Sequence, residues 1–232
     1  MSEMGAVPMP GGWSMSALWT PMCGQTWLGA ATSFVGMWTA MMAAMMLPMS
    51  LPEWGWLQQR VRGAPRAMAA SVMLAAFVSY ALAWAATGAV VFVGGDALAA
   101  ILPSAAPLAR LVPLVAGLLI ALAGAVQFTE WKARQIACCA NPRMRSRREA
   151  IDLRAACRFG FRLAFEGGLC CANWMMVLLL VGVMDPLAMA AITAAMSLER
   201  FVPARGKTAR AIGVAVVITG GCVAAQGAIG LP

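Results

Sequence analysis

Apolar residues in this chain run in long uninterrupted blocks, without the strict alternation of a half-buried strand or the one-sided stripe of a water-facing helix. The blocks lie at about 26–46, 67–93, 108–128, 163–184, 187–201 and 211–229, separated by short stretches that carry proline, glycine or basic residues. Most of them reach the roughly 20 residues that, at about 1.5 Å of rise each, cross a hydrocarbon core about 30 Å thick. The pattern predicts an all-α polytopic membrane protein, a helical bundle of about six transmembrane helices. Residues 1–24 are expected to form an extracytoplasmic segment and 25–232 a single transmembrane helical domain.

The punctuation fixes expected helix ends. The first span is bracketed by Trp27 and by Pro48 and Pro52, and the second ends at Gly94-Gly95-Asp96. The third begins after Pro103 and Pro107, and Asp185-Pro186 divides the fourth from the fifth. Between the third and fourth blocks, Arg148–Arg162 has Ile151, Ala155, Phe159 and Arg162 at helical spacing, which predicts an amphipathic helix lying in the membrane interface.

Charge orients this map. Sixteen of the 17 Lys and Arg residues fall in three loops, Arg60–Arg66, Lys132–Arg162 and Arg200–Arg210, and six spans place all three on one side. That side is the cytoplasm by the positive-inside rule, so both termini are expected outside it. Arg110 is the exception and can snorkel from the outer end of the third span. The first 24 residues lack Lys and Arg, hence the charged start of a cleavable signal peptide, and no processing is expected. The net charge of +8 therefore reads as topology and contact with anionic lipid, not as a nucleic-acid surface.

Composition removes several kinds of chemistry. The chain is 62% hydrophobic and 11% charged and contains no histidine, the commonest zinc and copper ligand and the commonest general base. No nucleophile pair or cofactor motif is visible, so no enzyme activity is expected. Seven cysteines lying mostly beside basic loops or inside spans read as free thiols or thiolate ligands in a reducing compartment.

Sulfur is the remaining chemistry. Met37 to Met49 contains six methionines in 13 residues, and Met37, Met41, Met45 and Met49 form one helical stripe with Met42 and Met46 beside it. Thioethers at that spacing can bind Cu(I), and they also fill irregular helix interfaces; the sequence leaves both readings open. Cys138-Cys139 and Cys170-Cys171 are adjacent pairs, which can serve as soft-metal ligands or as small buried hydrophobes, and neither has the C-x-x-C spacing of a two-ligand grip. The expected topology brings Met45, Met46, Cys139, Cys170 and Cys171 to one depth near the cytoplasmic face. Glu166 is a candidate intramembrane charge, with Arg162 one helical turn before it as its expected partner. Trp27, Trp54, Trp56 and Trp131 near predicted boundaries read as interfacial anchors.

Several of these elements together, namely Met37-Trp38, Met41, Ala44-Met45-Met46 and Pro48, then Thr129 and Lys132, Cys170-Cys171, Met175, Val181-Gly182-Val183-Met184, and Glu199 with Pro203, resemble a bacterial family of predicted metal-binding integral membrane proteins. The resemblance spans most of residues 36–205 and implies a multi-pass protein of the bacterial inner membrane. Gln135 and Gly167 stand where that pattern has cysteine, and Leu163 and Cys138 where it has histidine, while Cys139, Cys170 and Cys171 are kept. Three functions are carried forward: a membrane protein holding a soft ion, Cu(I) first, through Cys139, Cys170, Cys171, Met45 and Met46; a non-catalytic accessory subunit packed against other membrane subunits; and a transporter. The third lacks the expected intramembrane charges and inverted repeat.

Overall fold

The computed structural model describes residues 6–9, 13–16, 26–101, 106–130, 152–181, 186–201 and 205–229. Six helices occupy most of them: α1 (Trp27–Val61), α2 (Arg66–Ile101), α3 (Ala106–Val126), α4 (Leu153–Val181), α5 (Pro186–Phe201) and α6 (Arg205–Ile229). The helical bundle expected from the apolar blocks is present. A short antiparallel hairpin is added to it, pairing β1 (Ala6–Met9) with β2 (Trp13–Ser16) so that Ala6 faces Ser16 and Met9 faces Trp13. Four helices, α1, α2, α4 and α6, are long and apolar enough to cross a membrane.

Helix ends do not coincide with the ends of the apolar blocks. α1 runs through Pro48 and Pro52 for 35 residues, although proline removes a donor from the ladder. Between the two prolines the Ser50 hydroxyl donates to the carbonyls of Met46 and Leu47, at 3.0 and 3.2 Å. α2 likewise continues through Gly94-Gly95-Asp96, and the Asp96 carboxylate accepts a hydrogen bond of 3.1 Å from the Trp27 indole, tying the start of α1 to the end of α2. The separate interfacial helix expected before the fourth span is instead the first part of α4: Ala156 is buried against Leu57, Val61, Val72 and Ala76, and Phe159 packs beside Trp54 and Trp56. Packing against α1 and α2 replaces the lipid surface that its amphipathic pattern suggested.

Small residues decide the closest contacts. Glycines recur every seven residues on α3 (Gly117, Gly124) and on α6 (Gly213, Gly220, Gly227), and they face one another antiparallel. A β-carbon on Gly227 would lie 2.7 Å from the Leu114 backbone nitrogen, and one on Gly124 2.8 Å from that of Val217. Gly117 against Ala224 and Gly220 against Ala121 are closer still. Backbones approaching this closely gain dispersion contacts that larger side chains would forbid. Gly160 makes the same kind of approach to the Ala76 carbonyl where α4 crosses α2, and Gly88 of α2 leaves room for the Trp38 ring of α1.

Many large apolar side chains of the described helices are exposed. Leu74, Leu82 and Val90 of α2, Leu118 and Leu122 of α3 and Ile218 of α6 all point outward. Hydroxyls turn back onto their own helices: Thr32, Ser79, Thr193 and Thr219 each donate to the carbonyl four residues earlier. A side chain behaves so when no better partner is available outside.

Candidate metal centre

The methionines of α1 form the middle of the core. Met41, Met42, Met45, Met46 and Met49 are all buried, Met42 completely, and they belong to one connected cluster that also contains Cys170, Cys171 and Trp174 of α4 and Met196 of α5. Met37, Met175 and Met189 pack against its edge. The stripe inferred from spacing is therefore the inward face of α1, and Met45 and Met46 share a cluster with Cys170 and Cys171. Because α1 continues to Val61, the two methionines sit near its middle and not near its end. The cysteines are also near the middle of α4.

Cys170 and Cys171 are both buried, Cys171 only 2% exposed. Adjacent residues point about 100° apart around a helix, yet both are buried because α4 is enclosed on two sides, by α2 and by α3. Cys139 lies outside the described residues. Among the described residues no three His, Cys, Asp or Glu side chains converge, so a metal held here would have thiolates and thioethers as its ligands. Such a soft donor set suits Cu(I) and is poor for hard cations.

Polar atoms are also buried in this core. The Tyr80 hydroxyl of α2 lies within hydrogen-bonding reach of Ser50 of α1 and Trp84 of its own helix. Trp54 and Trp84 flank the Tyr80 ring edge-on, with centroids 5.9 and 6.2 Å away. The hydroxyl of Tyr80 and the indole nitrogens of Trp54 and Trp84 are buried without a hydrogen bond of good geometry. Sequence reading missed Tyr80 because a lone tyrosine in an apolar block carries no spacing signal. It also passed over Glu53, 7% exposed and one turn beyond Met49 on the same stripe; a carboxylate in register with a buried stripe was the signal that could have found it.

Glu166 stands apart from this arrangement. Its carboxylate accepts from the Arg162 guanidinium at 2.7 Å, and both side chains are close to half exposed. The expected helical partner is the observed one, and the pair lies on the outer surface of α4.

An apolar groove of about 660 Å³ opens between α1 and α2, edged by Gly36, Ala40 and Ala43 on one helix and by Tyr80, Ala81 and Trp84 on the other.

Among known protein families, one described as PpoB2, copper chaperone, matches residues 35–223. The matched stretch runs from α1 to α6 and includes the whole sulfur cluster. No curated protein and no solved structure matches.

Proposed function

From the premise that the chain belongs to the PpoB2 copper chaperone family, we propose that it is a non-enzymatic integral membrane protein of the bacterial inner membrane. It holds Cu(I) within its helical bundle and passes the ion on. Cys170 and Cys171 supply thiolates and Met45 and Met46 thioethers, with Cys139 as a further thiolate. The observation that carries this reading is the burial of both cysteines in the same core as the Met41–Met49 block, a soft donor set on two helices with no hard ligand cluster beside it among the described residues. Thiolates bind Cu(I) strongly and thioethers weakly, a combination that keeps an ion from water without making its release prohibitive.

Membrane insertion is supported by the four long apolar helices and by the outward-facing Leu, Val and Ile side chains of α2, α3 and α6. In bulk water an apolar exterior of this extent would drive aggregation. The bundle in this reading has six spans, with both termini outside the cytoplasm and the basic loops within it.

The test is metal analysis. Protein purified in detergent and reconstituted anaerobically with Cu(I) should hold one equivalent, and Cys170→Ser together with Cys171→Ser should reduce this to the level of a buffer control while the protein still elutes as a folded species. Undiminished copper in the double variant would refute the ligand assignment.

A second reading, as an accessory subunit, draws on the groove between α1 and α2, whose Ala and Gly edge would admit a partner's transmembrane helix. It predicts that a partner subunit co-purifies in gentle detergent and is lost on Ala40→Trp; purification of the wild type as an isolated chain would count against it.

A further inference from the structure

One face of α4 changes character along its length. Arg154, Arg158, Phe161 and Phe165 follow one another at intervals of four, three and four residues, which places them on a single side of the helix. All four are exposed, the phenylalanines by 59% and 60%, and the same side continues with Leu169 and Met176, which are also exposed. A strip that begins with two guanidiniums and goes on apolar has the profile of a phospholipid lying along it, headgroup first and acyl chains after.

Contacts on the inner side of α4 fix the level of its cationic end. Phe159, next to Arg158, stacks on Trp56 of α1 with ring centroids 6.1 Å apart, and the Arg60 guanidinium lies 5.2 Å over the same Trp56 ring. Gly160 lets the α4 backbone approach the Ala76 carbonyl of α2 at this level. Tryptophan suits the headgroup layer, where one end of the indole is wet and the other apolar. Stacking uses the face of a guanidinium, whereas its edge is the part that matches phosphate.

Charge at this end of the bundle is one-sided. Residues 53–66 and 152–166 hold six arginines against three acidic residues. Of the three, Glu53 is buried in α1, Asp152 accepts from the Leu153 backbone amide at 2.7 Å, and Glu166 accepts from Arg162. An anionic group complements what remains.

We propose that this strip is a binding site for an anionic phospholipid, its phosphate held by Arg154 and Arg158 with Arg60 at the same level, and its acyl chains lying on Phe161 and Phe165. The proposal rests on membrane insertion as read above and is independent of the copper ligands. A lipid fits better than a soluble anion or an acidic protein segment, because neither of those needs an apolar run below the arginines.

The test is native mass spectrometry of the full chain in detergent, titrated with phosphatidylglycerol or with phosphatidylcholine of the same acyl chains. The wild type should prefer phosphatidylglycerol. Arg158→Gln should weaken that lipid about fivefold, the factor that one arginine near an anionic membrane surface contributes, and Arg154→Gln together with Arg158→Gln by more than about tenfold, with phosphatidylcholine unaffected. Both arginines are exposed, so the variants should elute as the wild type does, and Arg158→Lys, which keeps the charge, should lose less. Phe161→Ala with Phe165→Ala should weaken both lipids alike. Arg210→Gln, the same charge change at an exposed position of α6, should alter neither. Equal binding of the two lipids by the wild type, or an equal loss in Arg210→Gln, overturns the proposal, since net charge and not this strip would then be responsible. Displacement of phosphatidylglycerol by inorganic phosphate overturns it in favour of a soluble anion. Capture of polyglutamate, lost in the double Gln variant, overturns it in favour of an acidic protein segment. Recovery of the chain in the soluble fraction of cells removes membrane insertion itself, and the proposal with it.

Discussion

At the scale of single residues, volume and ligation make different demands on the same methionines. Met42 is fully buried, and truncation to alanine should destabilise the protein by about 2–5 kcal/mol, measured as a shift in detergent or denaturant unfolding. Met45→Leu and Met46→Leu keep volume and apolarity and should cost less than about 1.5 kcal/mol. Each nevertheless removes a thioether, so a several-fold loss of Cu(I) affinity with unchanged unfolding is the expected outcome; unchanged affinity in both would assign these side chains to packing. Glu166→Gln breaks the pair with Arg162 at the surface of α4 and should leave copper content as it is, since exposed pairs contribute little and this one is not part of the sulfur cluster. A drop in bound copper in that variant would mean that Glu166 has a role that its position does not explain.

At the scale of helices, the α3–α6 pair depends on glycine more than on any large side chain. Gly117→Leu or Gly220→Leu forces apart two backbones already in contact, and either should abolish a monodisperse peak in size-exclusion chromatography or lower the melting temperature sharply. Gly36→Leu is the matched control, because a β-carbon there meets nothing within 4 Å; it should fold normally, and equal damage from all three would disprove the seam. Gly88→Leu is a third case, in which the added group meets the Trp38 ring and not backbone. It should be tolerated better than Gly117→Leu only if that indole can swing away from its 3.4 Å hydrogen bond to Thr87.

At the scale of the whole molecule, cysteine-labelling or reporter fusions should place residues 1–24 and the C-terminus outside the cytoplasm and the 132–162 stretch inside; a cytoplasmic N-terminus would overturn the proposed topology. The helical class of the fold was legible without coordinates, because uninterrupted apolar blocks of spanning length have few other solutions and backbone polar groups in lipid must be satisfied within the helix. The inward face of α1 was legible too, since Met37, Met41, Met45 and Met49 share one side by periodicity alone. Helix ends were not: Pro48, Pro52 and Gly94-Gly95 are breakers in water, yet α1 and α2 pass through them, packed against each other along their length. The amphipathic pattern around Phe159 was visible, but whether it faced lipid or the tryptophans of α1 depended on how the helices pack. That Met45 and Met46 share one buried core with Cys170 and Cys171 is a long-range fact of the same kind. Periodicity along a helix determines which residues share a face, and only the packing of one helix on another determines what that face meets.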